Sequence, residues 1–315
     1  MSGTPPKKHP NSRPGRGQTA IGHIGARLAL AALWLLHLLP LGAIDALGRG
    51  LGALLWRLAG SRRRIALRNL ELCYPQAPAK QREQIAREHF GWLGRSFLER
   101  GLLWYAPADR LRGLIHIEGD VKLAERSDRP VMWLVPHFLA LDVAGAGILL
   151  NQTRRAGSIY QQQSNPVFDR AMRRGRLRFG NAEIFSRRDG SKPLIRAIRR
   201  GDAFFNLPDM DFGLKDAAFV PFFGTPAATL LAPARMARSL GMVVQPVLAE
   251  ILPGGQGWRV RFLPPWEDFP GDDDDVAATA RMNRWIEQQI RAQPAQYLWV
   301  HRRFKTRPEG SAPIY

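Results

Sequence analysis

Val131-Met-Trp-Leu-Val135-Pro136-His137-Phe138-Leu139-Ala140-Leu141-Asp142 is the stretch on which the fold turns. Its first five residues are an unbroken apolar run with β-branched and aromatic members, which predicts a short strand buried on both faces. Pro136 cannot extend the ladder and ends it. Downstream, Leu139–Leu150 carries small residues at Ala144, Gly145, Ala146 and Gly147 and predicts a helix. A strand that turns directly into a helix places His137 at the C-terminal edge of a sheet, where α/β proteins build their sites. Asp142 lies five positions on, too far for a same-face helical pair, so the two side chains meet only if the turn at His137 becomes helix by Asp142.

Outward from this unit, strands and helices alternate. Ala79–Trp104 predicts a long helix with Ile85, Phe90, Leu93 and Phe97 among its apolar positions. Ser158–Gln161, Ala203–Leu207, Met242–Ile251 and Trp258–Leu263 read as strands. Pro166–Phe179 and Ser191–Arg200 read as basic amphipathic helices, and Leu230–Leu240 and Val276–Ala292 as further helices. The order implies an α/β sandwich with a mixed, largely buried sheet flanked by helices. Asp272–Asp275 reads as a solvated loop, and the sequence contains no internal repeat.

The chain has 315 residues and a net charge of +19, from 46 Lys plus Arg against 27 Asp plus Glu. Such an excess calls for an anionic partner: membrane, acidic protein or nucleic acid. A single cysteine, Cys73, excludes an intrachain disulfide framework. Residues 1–20, rich in Pro, Gly, Lys and Arg, read as a disordered basic tail. Leu28–Ile44 then runs 17 residues without a formal charge, at the lower limit for crossing a bilayer, and His37 and Pro40 weaken that reading. Arg49, Arg57, Arg62, Arg63, Arg64 and Arg68 follow it. Residues 21–60 are therefore expected to form a membrane anchor and interfacial helix. Either a single span or a helix pair lying in the cytoplasmic leaflet fits, and a buried hairpin with a solvated basic face is the alternative.

The His137–Asp142 spacing suits acyl transfer to a hydroxyl. Neutral histidine takes the proton of a poor nucleophile near pH 7, and a carboxylate on its other ring nitrogen fixes the tautomer. There is no Gly-x-Ser-x-Gly elbow and no cysteine placed for covalent catalysis.

His137-Phe-Leu-Ala-Leu-Asp142 resembles the His-x4-Asp/Glu motif of the glycerolipid acyltransferase superfamily. Arg68-Asn-Leu-Glu-Leu-Cys-Tyr-Pro75, Pro208-Asp-Met-Asp-Phe-Gly213, Phe219-Val-Pro-Phe-Phe-Gly224 and the C-terminal stretch Tyr297–Gly310 resemble segments of the lipid A late acyltransferases, the lauroyl/myristoyl transferase family of Gram-negative bacteria. The similarity runs from about residue 24 to the C-terminus and makes residues 61–315 an expected acyltransferase domain. It implies a glycerolipid-acyltransferase-like fold, acyl carrier protein thioester as co-substrate and no cofactor. It also implies a Kdo-bearing lipid A precursor as acceptor, and an anionic inner membrane with the catalytic domain facing the cytoplasm. By the same resemblance His137 and Asp142 are the catalytic pair, Arg176 of Gly175-Arg-Leu-Arg178 is functionally important, and so is Asp209. One departure stands out: where many members carry Tyr-Arg-Pro, this chain has Tyr160-Gln-Gln-Gln163.

Arg176 and Arg178 fit a cationic wall for sugar phosphates or the donor's phosphopantetheine, or else a solvated helix face shared with Arg170, Arg173 and Arg174. Asp209 and Asp211 fit acids that order Arg176 or the acceptor, or else ordinary turn chemistry before Gly213. Neither has the partners of a metal site, and no metal is expected. His301, Arg302, Arg303, Lys305 and Arg307 form a second basic cluster, suited to a carrier protein or lipid phosphates, or to a tail packed by Tyr297, Trp299 and Phe304. His89 and His116 read as structural. The competing functions are a lysophospholipid or ornithine-lipid acyltransferase, a catalytically dead membrane scaffold, and a nucleic-acid-binding protein. The last is disfavoured because no helix-turn-helix, zinc-finger or RNP pattern is present, and no nucleic-acid partner is expected.

Overall fold

The computed structural model describes residues 16–315, with side chains from Gly22 onward. Residues 1–15 of the expected basic tail lie outside it, and the first helix already begins at Arg16. In chain order the elements are α1 (Arg16–Leu36), α2 (Leu41–Leu58), α3 (Gly60–Cys73), α4 (Ala79–Tyr105), α5 (Ala108–Leu114), β1 (Ile115–Gly119), α6 (Leu123–Arg126), β2 (Val131–Leu134), α7 (Leu141–Asn151) and β3 (Ala156–Tyr160). There follow α8 (Pro166–Arg176), β4 (Ala182–Ser186), α9 (Lys192–Arg199), β5 (Ala203–Asn206), β6 (Ala217–Phe222), β7 (Thr225–Leu230), α10 (Ala232–Ser239), β8 (Val243–Ile251), β9 (Trp258–Phe262) and α11 (Asp275–Ala292).

A seven-stranded sheet runs in the order β1-β9-β8-β2-β5-β3-β4. All its pairs are parallel except the β8–β9 hairpin, so the sheet is mixed, as expected. β2 lies near its centre and is buried along its whole length. Its side chains alternate between two cores: Met132 and Leu134 pack into one, Val131 and Trp133 into the other. Helices cover both faces, which is why this strand reads as a continuous apolar run.

The expected elements recur within a few residues of their predicted bounds, with exceptions. The β6–β7 hairpin was not anticipated, because Pro221 and Pro226 interrupt its pattern; they sit opposite each other in a two-stranded unit where both strands are edges. Its loop is Phe223-Gly224, both at positive φ (50° and 76°), the backbone that a two-residue hairpin turn requires. The Asp272–Asp275 run is not all loop: Asp274 caps α11 by accepting from the N–H groups of Val276 and Ala277, and Asp275 pairs with Arg235 and Arg238.

The uncharged segment Leu28–Ile44 is not one helix. It breaks between Leu36 and Leu41, where Pro40 lacks the N–H a continuous helix needs, and Arg110 holds the break by donating to the carbonyls of His37 and Leu39. Among the described residues no helix is long and apolar enough to cross a membrane. Instead α2 lies against α4 at close range. A Cβ on Gly48 would fall 2.4 Å from Cα of Arg95, and one on Gly52 would fall 2.2 Å from the carbonyl oxygen of Phe90. Between the two helices Arg95, fully buried, pairs with Asp45 at 2.8 Å and Glu99 at 2.5 Å, and donates to the Leu252 carbonyl at 2.6 Å. Trp258 of β9 donates to the second Glu99 oxygen at 2.9 Å.

His89 of α4 is fully buried, with Nδ1 3.1 Å from the Ala295 carbonyl oxygen and Nε2 without a partner. Burial pushes its pKa down to about 4, so the folded ring is neutral while the unfolded one takes up a proton below about 6.5. That contribution to stability is complete above pH 6.5 and is lost as pH falls, at about 1.4 kcal/mol per pH unit until the folded ring itself titrates. Thermal unfolding at pH 7.0 and 5.5 is expected to show a loss that shrinks in His89→Gln; an equal loss in both proteins would refute the assignment.

Candidate active site

β2, β5, β3 and β4 run parallel and end at one edge of the sheet, where the candidate residues gather. Beyond β2, the Val135 N–H still donates to the Asn206 carbonyl at 2.9 Å, and the chain then turns at Pro136. The turn is held from the other side by the C-terminal segment. Leu139 donates to the Gln296 carbonyl at 2.9 Å, and Leu298 donates to the His137 carbonyl at 3.0 Å.

Neighbouring β5 ends at Asn206, and Asp209 follows beside His137. Its Oδ1 lies 2.7 Å from His137 Nδ1, and its Oδ2 accepts from the His137 backbone N–H at 3.0 Å. One carboxylate thus grips both ring and main chain. An ionised carboxylate can only accept, so Nδ1 bears the proton and Nε2 is left as the basic nitrogen. Asp209 is fully buried, which alone would raise its pKa; the His137 imidazole and the hydrogen bonds from His137 outweigh this and hold the carboxyl below its ordinary value. Burial, and then the Asp209 charge, push the neighbouring Tyr297 phenol well above its usual range, so it stays protonated. The His137 side chain keeps 11% of its surface exposed.

The orienting partner expected for His137 was Asp142, and here the structure differs. Asp142 is the second residue of α7, and its Oδ1 accepts from Arg176 Nε at 2.8 Å. Arg176 Nη2 lies 2.8 Å from the same oxygen, and Arg100 Nε lies 3.7 Å from Oδ2. Burial would raise the Asp142 pKa, but the charges of Arg176 and then Arg100 outweigh it. Asp142 lies near enough for His137 to help lower its pKa, but the partner of Nδ1 is Asp209, delivered from beyond β5. Arg176 reaches Asp142 because Gly175 lets α8 press onto α4: a Cβ on Gly175 would meet Trp104 at 2.3 Å.

Arg178 and Asp211, expected at the substrate, are tied into the scaffold. Arg178 donates to the carbonyls of Leu103 and Ala106 and stacks over Phe179. Asp211 accepts from the Gly213 N–H, the Thr306 N–H and the Thr306 hydroxyl, pinning the C-terminal segment to the sheet edge. The C-terminal basic cluster divides likewise. Arg303 is buried and bonded to Ala228 and Thr229, whereas Arg302 and Lys305 are exposed. His301 lies close enough to feel His137, and burial lowers its pKa to about 4, so it is uncharged at neutral pH.

Arg100 went unnoticed in the sequence, although an arginine inside Ser96-Phe-Leu-Glu-Arg-Gly-Leu-Leu-Trp104 is a charge embedded among apolar neighbours, and such a charge wants a partner.

Between α7 and strands β3, β4 and β5 opens a cleft. Trp133, Ile159, Ile184 and Phe205 are among its apolar lining, and Asp142 and Arg176 line it where α7 begins. An apolar cleft closed at one end by a charged pair suits a ligand with an apolar body and a polar head, and the His137–Asp209 pair can accept a proton.

Residues 18–306 match the family model described as bacterial lipid A biosynthesis acyltransferase. The chain is 35% identical to the lipid A biosynthesis palmitoleoyltransferase of Escherichia coli K12 over 289 residues, covering 91% of this chain and 92% of that protein. It is 35% identical to the lauroyltransferase of the same organism over 291 residues, covering 91% and 94%. It is 32% identical to that organism's myristoyltransferase over 293 residues, covering 92% and 90%.

Proposed function

Because the chain belongs to the bacterial lipid A biosynthesis acyltransferase family, we propose that it transfers a fatty acyl chain from an acyl carrier protein thioester to a hydroxyl of a Kdo-bearing lipid A precursor, with His137 as general base. The observation that carries the mechanism is the His137–Asp209 hydrogen bond of 2.7 Å. Nε2 takes the proton of the acceptor hydroxyl as its oxygen attacks the thioester carbonyl. Asp209 holds the imidazolium that results. The tetrahedral adduct then collapses: the carbon–sulfur bond breaks, the acyl–oxygen ester remains, and the leaving thiolate takes the proton back from Nε2. No covalent enzyme intermediate is needed. The cleft takes the acyl chain.

Around Asp142 two arginines share one carboxylate. The surplus positive charge suits a phosphate of the acceptor or of the donor's phosphopantetheine arm. Arg176→Gln is therefore expected to raise KM for one substrate by roughly tenfold or more, the scale of one charged hydrogen bond, with a smaller change in kcat. Separate KM determinations for donor and acceptor identify which substrate it meets, and a pure kcat loss would reject the binding role.

The surfaces of α1 and α2 support membrane attachment. Ile24, Leu28 and Leu35 on α1 and Leu47, Leu54 and Leu58 on α2 are each at least half exposed, and each set recurs at helical spacing. Arg57, Arg62 and Arg64 are exposed alongside. This pattern supports a helix pair lying in the anionic leaflet with its arginines at lipid phosphates. In a reaction of detergent-solubilised enzyme with acyl carrier protein thioesters and Kdo-bearing lipid IVA, mass spectrometry is expected to show one added acyl chain, and His137→Ala to show a rate lower by roughly 10²–10⁴. Acylation of a lysophospholipid instead would keep the chemistry and change the acceptor.

A further inference from the structure

The proposed acyl cleft has one wall that is conspicuously thin. On α7, Leu141, Asp142, Gly145, Ala146, Ile148 and Leu149 line the cleft along one side of the helix. Along it, bulk is missing only in the middle: Asp142 lies at the head, Gly145 and Ala146 follow one turn later, and Leu149 one turn beyond. At about 1.5 Å per residue the path from Asp142 to Leu149 is about 10 Å long.

Two observations separate Gly145 from the other glycines of this site. A Cβ built there meets no atom within 4 Å, whereas one on Gly147 lies 3.3 Å from Ile117 and one on Gly175 lies 2.3 Å from Trp104. Gly147 and Gly175 are explained by the packing of their own helices. Gly145 has no backbone reason to be glycine either, since it sits inside a regular helix, where glycine costs stability relative to alanine. The open space over it is the cleft. The relatives reported above share a fold-length similarity yet are named for transfer of different acyl groups, so the chain accepted is a property that varies on this scaffold.

Resting on the acyl-transfer reading above, we infer that Gly145 determines acyl-chain selectivity: its missing side chain leaves the wall open one helical turn from the Asp142–Arg176 end, and Leu149 bounds the passage one turn deeper. A side chain at 145 narrows the cleft along its length without touching the His137–Asp209 pair. Removing bulk at 149 opens it further in.

The test is a competition assay with the full-length enzyme in detergent, a mixture of saturated acyl carrier protein thioesters of graded length, and a Kdo-bearing lipid IVA acceptor, read by product mass. Gly145→Leu is expected to reduce transfer of the longest chain the wild type accepts by at least roughly tenfold relative to the shorter ones, the lower end of what a single methylene commands in an apolar pocket. Leu149→Ala is expected to move the distribution towards longer chains. Gly145→Ala serves as the folding control, with a thermal midpoint at or above wild type. A distribution unchanged in both Gly145→Leu and Leu149→Ala would overturn the inference, as would an equal loss for every chain length in Gly145→Leu. A wild type that transfers no chain of any length to the acceptor would instead sink the acyl-transfer reading, and this inference with it.

Discussion

Asp209→Asn is expected to lower kcat by roughly 10²–10⁴, almost as far as loss of His137 itself. The amide still fits the space, but it carries no charge to stabilise the imidazolium that forms when Nε2 takes the acceptor proton. It also presents N–H donors where Asp209 now accepts from both the ring and the backbone of His137. The ring loses the partner that fixes Nδ1 as the protonated nitrogen. Asp142→Asn is the informative contrast. It leaves the Nδ1 contact intact and removes the carboxylate shared by Arg176 and Arg100, so its loss is expected to be roughly tenfold and to fall mainly on KM. Steady-state kinetics of the two variants, with thermal midpoints to show that both fold, decide between them. If Asp142→Asn were the crippling change and Asp209→Asn the mild one, the orienting role would return to Asp142.

Arg95→Ala is expected to destabilise the fold by about 3–5 kcal/mol, the cost of breaking a buried ion-pair cluster and leaving Glu99 without a cation. Asp45 and Glu99 are 1% and 2% exposed, and no solvent can replace the guanidinium. Even with Arg95 present, burial raises the Glu99 pKa to about 7. Denaturant or thermal unfolding in detergent measures the effect. Arg112→Ala, which breaks an exposed pair with Asp109, is the comparison and is expected to stay within about 0.5 kcal/mol. Substituting Glu99→Gln into Arg95→Ala should recover part of the loss by removing the stranded charge, since Asp45 keeps Arg49 at 2.7 Å. A loss no larger than that of Arg112→Ala would mean that the buried cluster contributes nothing to holding α2 on α4.

The strand–turn–helix at 131–151 was legible because it combines three independent local signals: an apolar run, a proline stop and a helix rich in small residues. The partner of His137 was not. Choosing between Asp142 and Asp209 depends on which strand pairs with β2, and a parallel β2–β5 pairing brings together residues 72 positions apart. Spacing along the chain carries no trace of that. The same limit applies to Arg100 and to the scaffold roles of Arg178 and Asp211, whose partners come from other elements. The helical break near Pro40 was visible as a proline. The close approach of α2 to α4 was not, because glycines at 48, 52 and 94 become meaningful only when the opposing backbone is known.

α4 is one uninterrupted helix of 27 residues, about 40 Å long. Phe90, Gly94 and Arg95 seat α2 on it, Gly101 seats α1, Arg100 reaches Asp142, and Trp104 receives Gly175. The helices with exposed leucines and the Asp142–Arg176 end of the cleft thus hang on a single beam. In the membrane arrangement proposed above, a continuous helix between them fixes the height of the reaction centre over the lipid surface. On that arrangement an acceptor has to rise to that height, and its headgroup length, measured from the membrane plane to the hydroxyl, would be a criterion of selection in its own right.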